Sequence, residues 1–461
     1  MESLYSMKQQ NQLTMAPIPE LIRQIAIPAS IGFFFNTMYN VVDTYFGGLI
    51  STQVQAALSL SFPIFFIIIA MGSGMATGTT ALIATAIGEG NLQQARLFAV
   101  QGIAFGVILS FFLTVIGLLS APFLFSLLGA SESYLEICLN YMNTIFFGAP
   151  FFMLTYMLNA ILNALGNTKP YRNFLVAGFF LNLVFDPWFI YGGLGIPPMR
   201  TLGIAIATVL IQLIGSIYLG TRVFQSGILK GSQWTELHPR KKTFQEIARQ
   251  GFPASANTFT VGLGIFVITY FISKFGKEAV AGYGIATRVE QIALLPTIGL
   301  NIATLTIVAQ NNGARLFGRI HEAVKTALLY GGAVMSLGTA GVFMFAENLM
   351  GFFTQDPPVI EHGTTYLKIA SFVLYAYTIM YINIAALQGI KKPMFAIWIG
   401  LYRQIVAPII VFYALIHLLD LGIKGIWWGI FSVTWSATGI TLLYSRRLLR
   451  KNLALCSDQR V

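Results

Sequence analysis

Apolar residues run along this chain in long blocks, and the blocks end where charges appear. No charged residue stands within 97–131, 137–168, 201–221, 250–273, 291–314, 326–346, 369–390 or 425–445. Each block meets or exceeds the roughly 20 residues a helix needs to cross the hydrocarbon layer of a bilayer. Continuous runs of this length predict helices, because a barrel would alternate apolar and polar positions over short strands. The pattern predicts twelve helices, at about 21–48, 54–86, 93–123, 133–164, 171–193, 201–225, 245–273, 279–310, 319–350, 359–389, 394–420 and 424–448. The fold class expected is an all-α membrane protein of twelve transmembrane helices in two six-helix lobes, forming a V-shaped central cleft.

The basic residues give the orientation. Alternate loops hold Arg96; Lys169 and Arg172; Lys230, Arg240, Lys241, Lys242 and Arg249; Arg315, Arg319 and Lys325; Lys391 and Lys392; and Arg446, Arg447, Arg450 and Lys451. The opposite loops hold only Arg200, Lys274, Lys277, Lys368 and Lys424. Positive charge stays on the cytoplasmic side, so both termini are expected to be cytoplasmic in a multi-pass protein of the inner membrane. The start of the chain has neither an apolar core nor a small-residue cleavage pattern, and reads as a tail, not a signal peptide.

The two halves repeat. IAIPAS at 25–30 matches QGFPAS at 250–255, placing Pro28 and Pro253 225 positions apart; Gly88 and Gly313 keep the same spacing. LNALGNTKP at 162–170 matches AALQGIKKP at 385–393. An even number of helices per repeat gives both copies one orientation, related by an axis along the membrane normal. The expected domains are a tail at 1–20, an N-lobe at 21–226, a polar linker at 227–244, a C-lobe at 245–450 and a tail at 451–461.

Composition narrows the class. Of 461 residues, 56% are hydrophobic and 10% charged, with mean hydropathy +0.71. Soluble domains carry about 25% charged residues. The net charge of +11 lies in loops between apolar blocks, so no nucleic-acid partner is expected. Cys138 and Cys456 are too few and too distant for a disulfide framework.

Acids at membrane depth are costly and mark function by default. Three lie more than four residues inside the ends of predicted helices: Asp43, Asp186 and Glu290. At 1.5 Å per residue, Asp43 and Asp186 both lie in the outer half of the membrane, with Thr208 on the sixth helix at about 10 Å depth. Asn182 shares a helix face with Asp186. Desolvation and a neighbouring carboxylate both favour a protonated carboxyl, and the oxygens of Asp43, Asn182, Asp186 and Thr208 also suit a hard cation such as sodium. The competing reading is structural: Asp186 serving backbone loosened by Pro187, and Asp43 capping a helix end. Glu290 follows Arg288 by two residues and predicts a charge network of Arg288 with Glu290; Arg403, near a helix start, is expected to snorkel outward. Pro28 allows either a mobile hinge or a fixed bend. Aromatics and methionines interleave with amides on helices one and four, among them Asn36, Tyr39, Tyr156, Met157, Asn159 and Asn163. Amides left in hydrocarbon are costly, so this set predicts a cavity for amphipathic organic cations.

Other chemistries are missing. There is no phosphate-binding G-x-x-x-x-G-K-[ST]. His238, His321, His362 and His417 lack metal-ligand spacing. No cofactor is expected beyond a coupling ion, H+ or Na+, and the chain is not expected to be an enzyme.

MYNVVDTYFGG, LNALGNTKPYRN, NLVFDPWFIYGGLG, GIAIAT, the repeated PAS and AALQGIKKP together resemble the multidrug and toxic compound extrusion (MATE) family over about residues 20–450, and its DinF-like branch in particular. The resemblance implies cation-coupled drug export by alternating access. It implies a cation site at Asp43, Asn182, Asp186 and Thr208, polar cavity residues at Asn36, Tyr39, Asn159 and Asn163, and a bend at Pro28. The stretches ASANTFTVGLGIFVITYF of helix seven and SFVLYAYTIMYINIAAL of helix ten carry no acids, unlike the NorM-like branch. The chain is thus expected to be a monomeric antiporter in the lipid bilayer, exporting small cationic drugs or dyes. Two alternatives stand beside this: a flippase for a lipid-linked headgroup, and an intramembrane lipid-modifying enzyme.

Overall fold

The twelve apolar blocks become helices in the computed structural model, which describes residues 12–130 and 132–457. Residues 1–11 and 458–461 of the expected tails, and the side chain of Cys456, lie outside the described part. The first seven long helices are α1 (Ile18–Ile50), α2 (Thr52–Gly88), α3 (Leu92–Leu127), α4 (Glu132–Ala164), α5 (Lys169–Tyr191), α6 (Thr201–Gln225) and α7 (Lys241–Ser273). A bent pair follows, α8 (Lys277–Ala293 with Leu295–Gly313), then α9 (Phe317–Met344) and a second bent pair, α10 (Pro357–Ala370 with Val373–Gly389). The last two are α11 (Met394–Leu418) and α12 (Gly422–Ser457). Ten are long and apolar enough to cross a membrane on their own, and each bent pair supplies one more candidate span. No strand occurs among the described residues.

The breaks have local causes. In α8 the bend of 45° falls before Pro296, which has no N–H and whose ring crowds the carbonyl four residues back. The chain turns there through Leu294 N donating to Glu290 O at 3.0 Å and Thr297 N to Leu294 O at 2.9 Å. In α10 the bend of 50° frees the Ser371 carbonyl, and Thr339 Oγ1 of α9 donates to it at 2.7 Å. Just past the two breaks, the hydroxyls of Thr297 and Thr378 meet at 2.8 Å. In α11, residues Tyr402–Val406 form a π turn. Pro408 follows and cannot bond to the Gln404 carbonyl, so the widened turn is a consequence of its missing N–H.

Packing divides the described residues into two units: 31–255, and 12–30 with 256–457. This grouping does not follow the sequence boundary at the linker. Instead α1 and α7 each pass from one unit to the other, directly after Ser30 and Ser255. The repeated Pro-Ala-Ser therefore marks the same event in both halves. In the second unit, Ile18, Leu21, Ile22, Ile25 and Ala26 of α1 join a core with Leu300, Ala303, Ile307 and Ile320. Gly299 lets α8 come up against Ala26 O and Ser30 Oγ. In the first unit, the start of α7 lies on α2. A Cβ at Gly78 would sit 2.5 Å from Gly251 N and 2.8 Å from Gln250 C, and Ser255 Oγ donates to Met71 O at 3.3 Å.

Within the first unit α4 is the central helix, packed against α2, α3 and α6. The linker before α7 is fastened to α3. Gln101, fully buried, donates through Nε2 to Glu236 O and to His238 O, the latter at 2.8 Å, and its Oε1 accepts from Arg240 N at 2.8 Å. Arg96 adds an ion pair to Glu236 at 3.1 Å.

Candidate functional site

Three helix ends of the first unit converge. Asp43 lies seven residues before the end of α1, Asp186 five before the end of α5, and Thr208 seven after the start of α6. The α5–α6 turn holds two of these ends together. Met199 N and Arg200 N donate to Phe189 O and Ile190 O at 3.0 and 3.2 Å, and Trp188 Nε1 donates to Gly193 O at 3.1 Å. Gly192, at φ 79°, has to be glycine: a Cβ would sit 2.7 Å from Ile196 O.

The side chains meet. Asn182 Nδ2 donates to Asp43 Oδ1 at 2.8 Å, and Tyr39 OH donates to Thr208 Oγ1 at 3.1 Å. Asp186 and Thr208 are immediate neighbours of Asp43. Asn182 and Asp186 are fully buried and Thr208 nearly so, while Asp43 and Tyr39 are half-buried. Both carboxyl oxygens of Asp186, and Asn182 Oδ1, are buried without a donor among the described residues. Two carboxylates cannot donate to one another, so Asp43 cannot satisfy Asp186 until one of them carries a proton. The orphaned atoms are all oxygens, the ligands a hard cation takes. Among the described residues no three His, Cys, Asp or Glu side chains gather as in a metal centre. Chemically, this is a place for one positive charge, a proton or a small cation. The structural reading of the two acids does not fit: Asp43 caps no helix end, and Asp186 gives its oxygens to no backbone N–H.

The expected cavity residues divide. Tyr39 joins the acid site, with Asn36 one turn earlier on α1. Asn159 is buried with Oδ1 unpartnered, and Asn163 is buried. Tyr156 is half-buried against Gly72. Met157 is a core residue: fully buried with Met75, Ala76 and Ala160, its sulfur accepts from Thr79 Oγ1 at 3.9 Å. Pro28 lies inside an unbroken α1, two residues before the helix changes units.

Two expectations fail in the second unit. Arg288 is exposed while Glu290 is buried, since residues two apart on a helix do not face each other. Glu290 Oε2 instead accepts from Tyr366 OH at 2.6 Å. Arg403 does not snorkel: it is buried, with its guanidinium over the Tyr377 ring at 5.0 Å. The residues missed in the first unit include Tyr141 of α4, buried beside both Asp43 and Asp186. Nothing in the sequence separates it from the other 18 tyrosines.

The comparison with known families decides what this helical repeat is. The profile described as MatE matches twice, at residues 28–188 and 253–414, once per repeat and starting at Pro28 and Pro253. The chain belongs to the MATE family. Its fold is that of solved MATE structures: one in the bent conformation aligns with TM-score 0.91 and 24% identity over 97% of this chain and 99% of that one. A MOP superfamily transporter from Pyrococcus furiosus aligns with TM-score 0.90 over 96% and 98%. In sequence, the chain is 27% identical to the FAD transporter of Shewanella oneidensis over 87% of this chain and 88% of that one. It is 24% identical to the multidrug export protein MepA of Staphylococcus aureus over 77% and 78%. MATE proteins are transporters, so the intramembrane-enzyme alternative falls.

Proposed function

We propose that this MATE protein exports small amphipathic organic cations across the inner membrane, in exchange for an inward-moving proton or sodium ion bound at Asp43, Asn182, Asp186 and Thr208. One observation carries the reading: Asp186, a fully buried acid beside Asp43, has no donor for either oxygen among the described residues. Two ionised carboxylates in a desolvated place repel each other, and one cation relieves both. Asn182 fixes Asp43 through its amide N–H and leaves its own oxygen for the ion. Tyr39 keeps Thr208 in register through its hydroxyl. A cationic substrate and the coupling ion then compete for the same negative charge, and this competition makes their movements opposite. Related proteins named for FAD transport and multidrug export support export of small molecules. The loop charges support cytoplasmic termini, and Pro28, where α1 leaves one unit for the other, supports a hinge that answers to the charge at Asp43.

Reconstituted vesicles test this. Efflux of a cationic dye such as ethidium is measured under a pH gradient alone, a sodium gradient alone, and neither. Wild type is expected to transport under at least one gradient, and Asp43→Asn and Asp186→Asn are each expected to abolish it. Efflux surviving in both variants overturns the coupling site; transport of a fluorescent lipid-linked headgroup in place of the dye would favour the flippase.

A further inference from the structure

The second unit holds a buried cation that none of its acids contacts. Arg403 is 8% exposed. Among the described residues the ion pairs within 4.0 Å are Arg96–Glu236 and Lys277–Glu278, and Arg403 is in neither. The nearest acid, Glu290, is bound by Tyr366 at 2.6 Å; Tyr377 stands between it and Arg403 as a neighbour of both. The π turn Tyr402–Val406 buries two consecutive polar side chains, Arg403 and Gln404. Tyr377 and Tyr381, one turn apart on α10, stack with ring centroids 5.8 Å apart and planes within 11°. Both are half-buried, so part of the tyrosine pair stays accessible.

A guanidinium removed from water, without a carboxylate in contact, is costly. Its flat fork of donors matches a carboxylate or phosphate in two parallel hydrogen bonds. Stacked tyrosine rings present faces and edges suited to another ring. We propose that Arg403, Tyr377 and Tyr381 form a binding site for an aromatic anion: the carboxylate or phosphate on the guanidinium, the ring against the tyrosines. Glu290 then works against the ligand, because its charge draws on the same guanidinium through Tyr377. The site widens the substrate class of the transport reading to aromatic acids and zwitterions. It rests on that reading only for transport, since binding is independent of the acids in the first unit.

Binding is read as thermal stabilisation of the purified full-length protein, because a ligand that binds only the folded state raises its melting temperature. The probes are 2-naphthoate and 2-naphthyl phosphate, against acetate, inorganic phosphate and neutral 2-naphthol. Wild type is expected to be stabilised by one or both naphthyl anions and by none of the three controls, and the better naphthyl anion identifies the headgroup. Arg403→Gln is expected to weaken that affinity at least tenfold. Arg403→Lys is expected to fall between, because an ammonium lacks the fork. Glu290→Gln is expected to tighten it. Asp43→Asn is expected to leave the stabilisation intact, which separates this site from the coupling site. The proposal is overturned if neither naphthyl anion stabilises wild type, or if acetate or 2-naphthol does so equally. Unchanged naphthyl affinity in Arg403→Gln overturns it as well. If that variant does not fold, naphthyl affinity in Arg403→Lys equal to wild type does the same.

Discussion

Asn182 sets the direction in which Asp43 faces. Its amide N–H donates to that carboxylate at 2.8 Å, and it comes from the same face of α5 as Asp186. Replacing it by leucine keeps the volume and removes the donor. Leaving a buried charged acceptor short of a bond costs about 1–3 kcal/mol, so Asn182→Leu is expected to lose most gradient-driven dye efflux while still inserting and folding. Efflux within twofold of wild type would show that Asp43 needs no orienting donor. The two acids were legible in the sequence because charge at membrane depth is rare: Asp43 and Asp186 stand inside apolar blocks with few other candidates. Arg403 was not, although it is just as rare. An arginine some ten residues into a helix reads as able to reach the surface, and its packing on Tyr377 of another helix leaves no mark in its own segment. Glu290 was noticed for the right reason and given the wrong partner, since closeness in sequence to Arg288 says nothing about facing on a helix.

Helix breaks are where side chains take over the work of backbone. The Ser371 carbonyl loses its helical donor at the bend of α10, and Thr339 of α9 supplies one. Thr339 is buried, so water does not replace it. Thr339→Val keeps the shape and is expected to lower stability by about 1–3 kcal/mol, seen as a lower melting temperature in detergent; an unchanged melting temperature would mean that the break needs no such support. The sequence placed helices eight and ten within a few residues of their observed ends, yet showed neither as bent. Pro296 was visible, but a proline permits a kink without requiring one. The break at Ser371 has no proline at all: the carbonyl it frees is met by a hydroxyl on another helix, 32 residues away, which periodicity along one helix cannot report.

At the scale of the molecule, the linker is held as firmly as a helix end. Gln101 meets three backbone groups of the segment that leads into α7, a segment whose length and charges alone read as a loose polar connection. Gln101→Leu removes all three partners. The stretch holding Arg240, Lys241 and Lys242 should then open more often, and trypsin should cut it about tenfold faster if the latch is worth about 1.4 kcal/mol. An unchanged cleavage rate would mean that the Arg96–Glu236 pair and the start of α7 hold the linker without it. The repeat itself was the most legible large feature, because constant spacing survives in the sequence however the helices pack. Which helices pack together was not legible: the repeat says which residues correspond, not which partners each copy finds.

The exchange of helix ends sets a timetable for synthesis. Residues 18–30 leave the ribosome some 270 positions before their partners Leu300, Ala303, Ile307 and Ile320. At about 5–20 residues per second, that wait is roughly 15 to 55 s. The first unit is likewise unfinished until 241–255 arrive. Neither unit can be completed from its own half of the gene, so α1 must remain in the membrane with its first turns unpaired until the second repeat is inserted. A nascent chain stalled between α6 and α7 would be an incomplete protein with an orphaned helix end, and not a finished half.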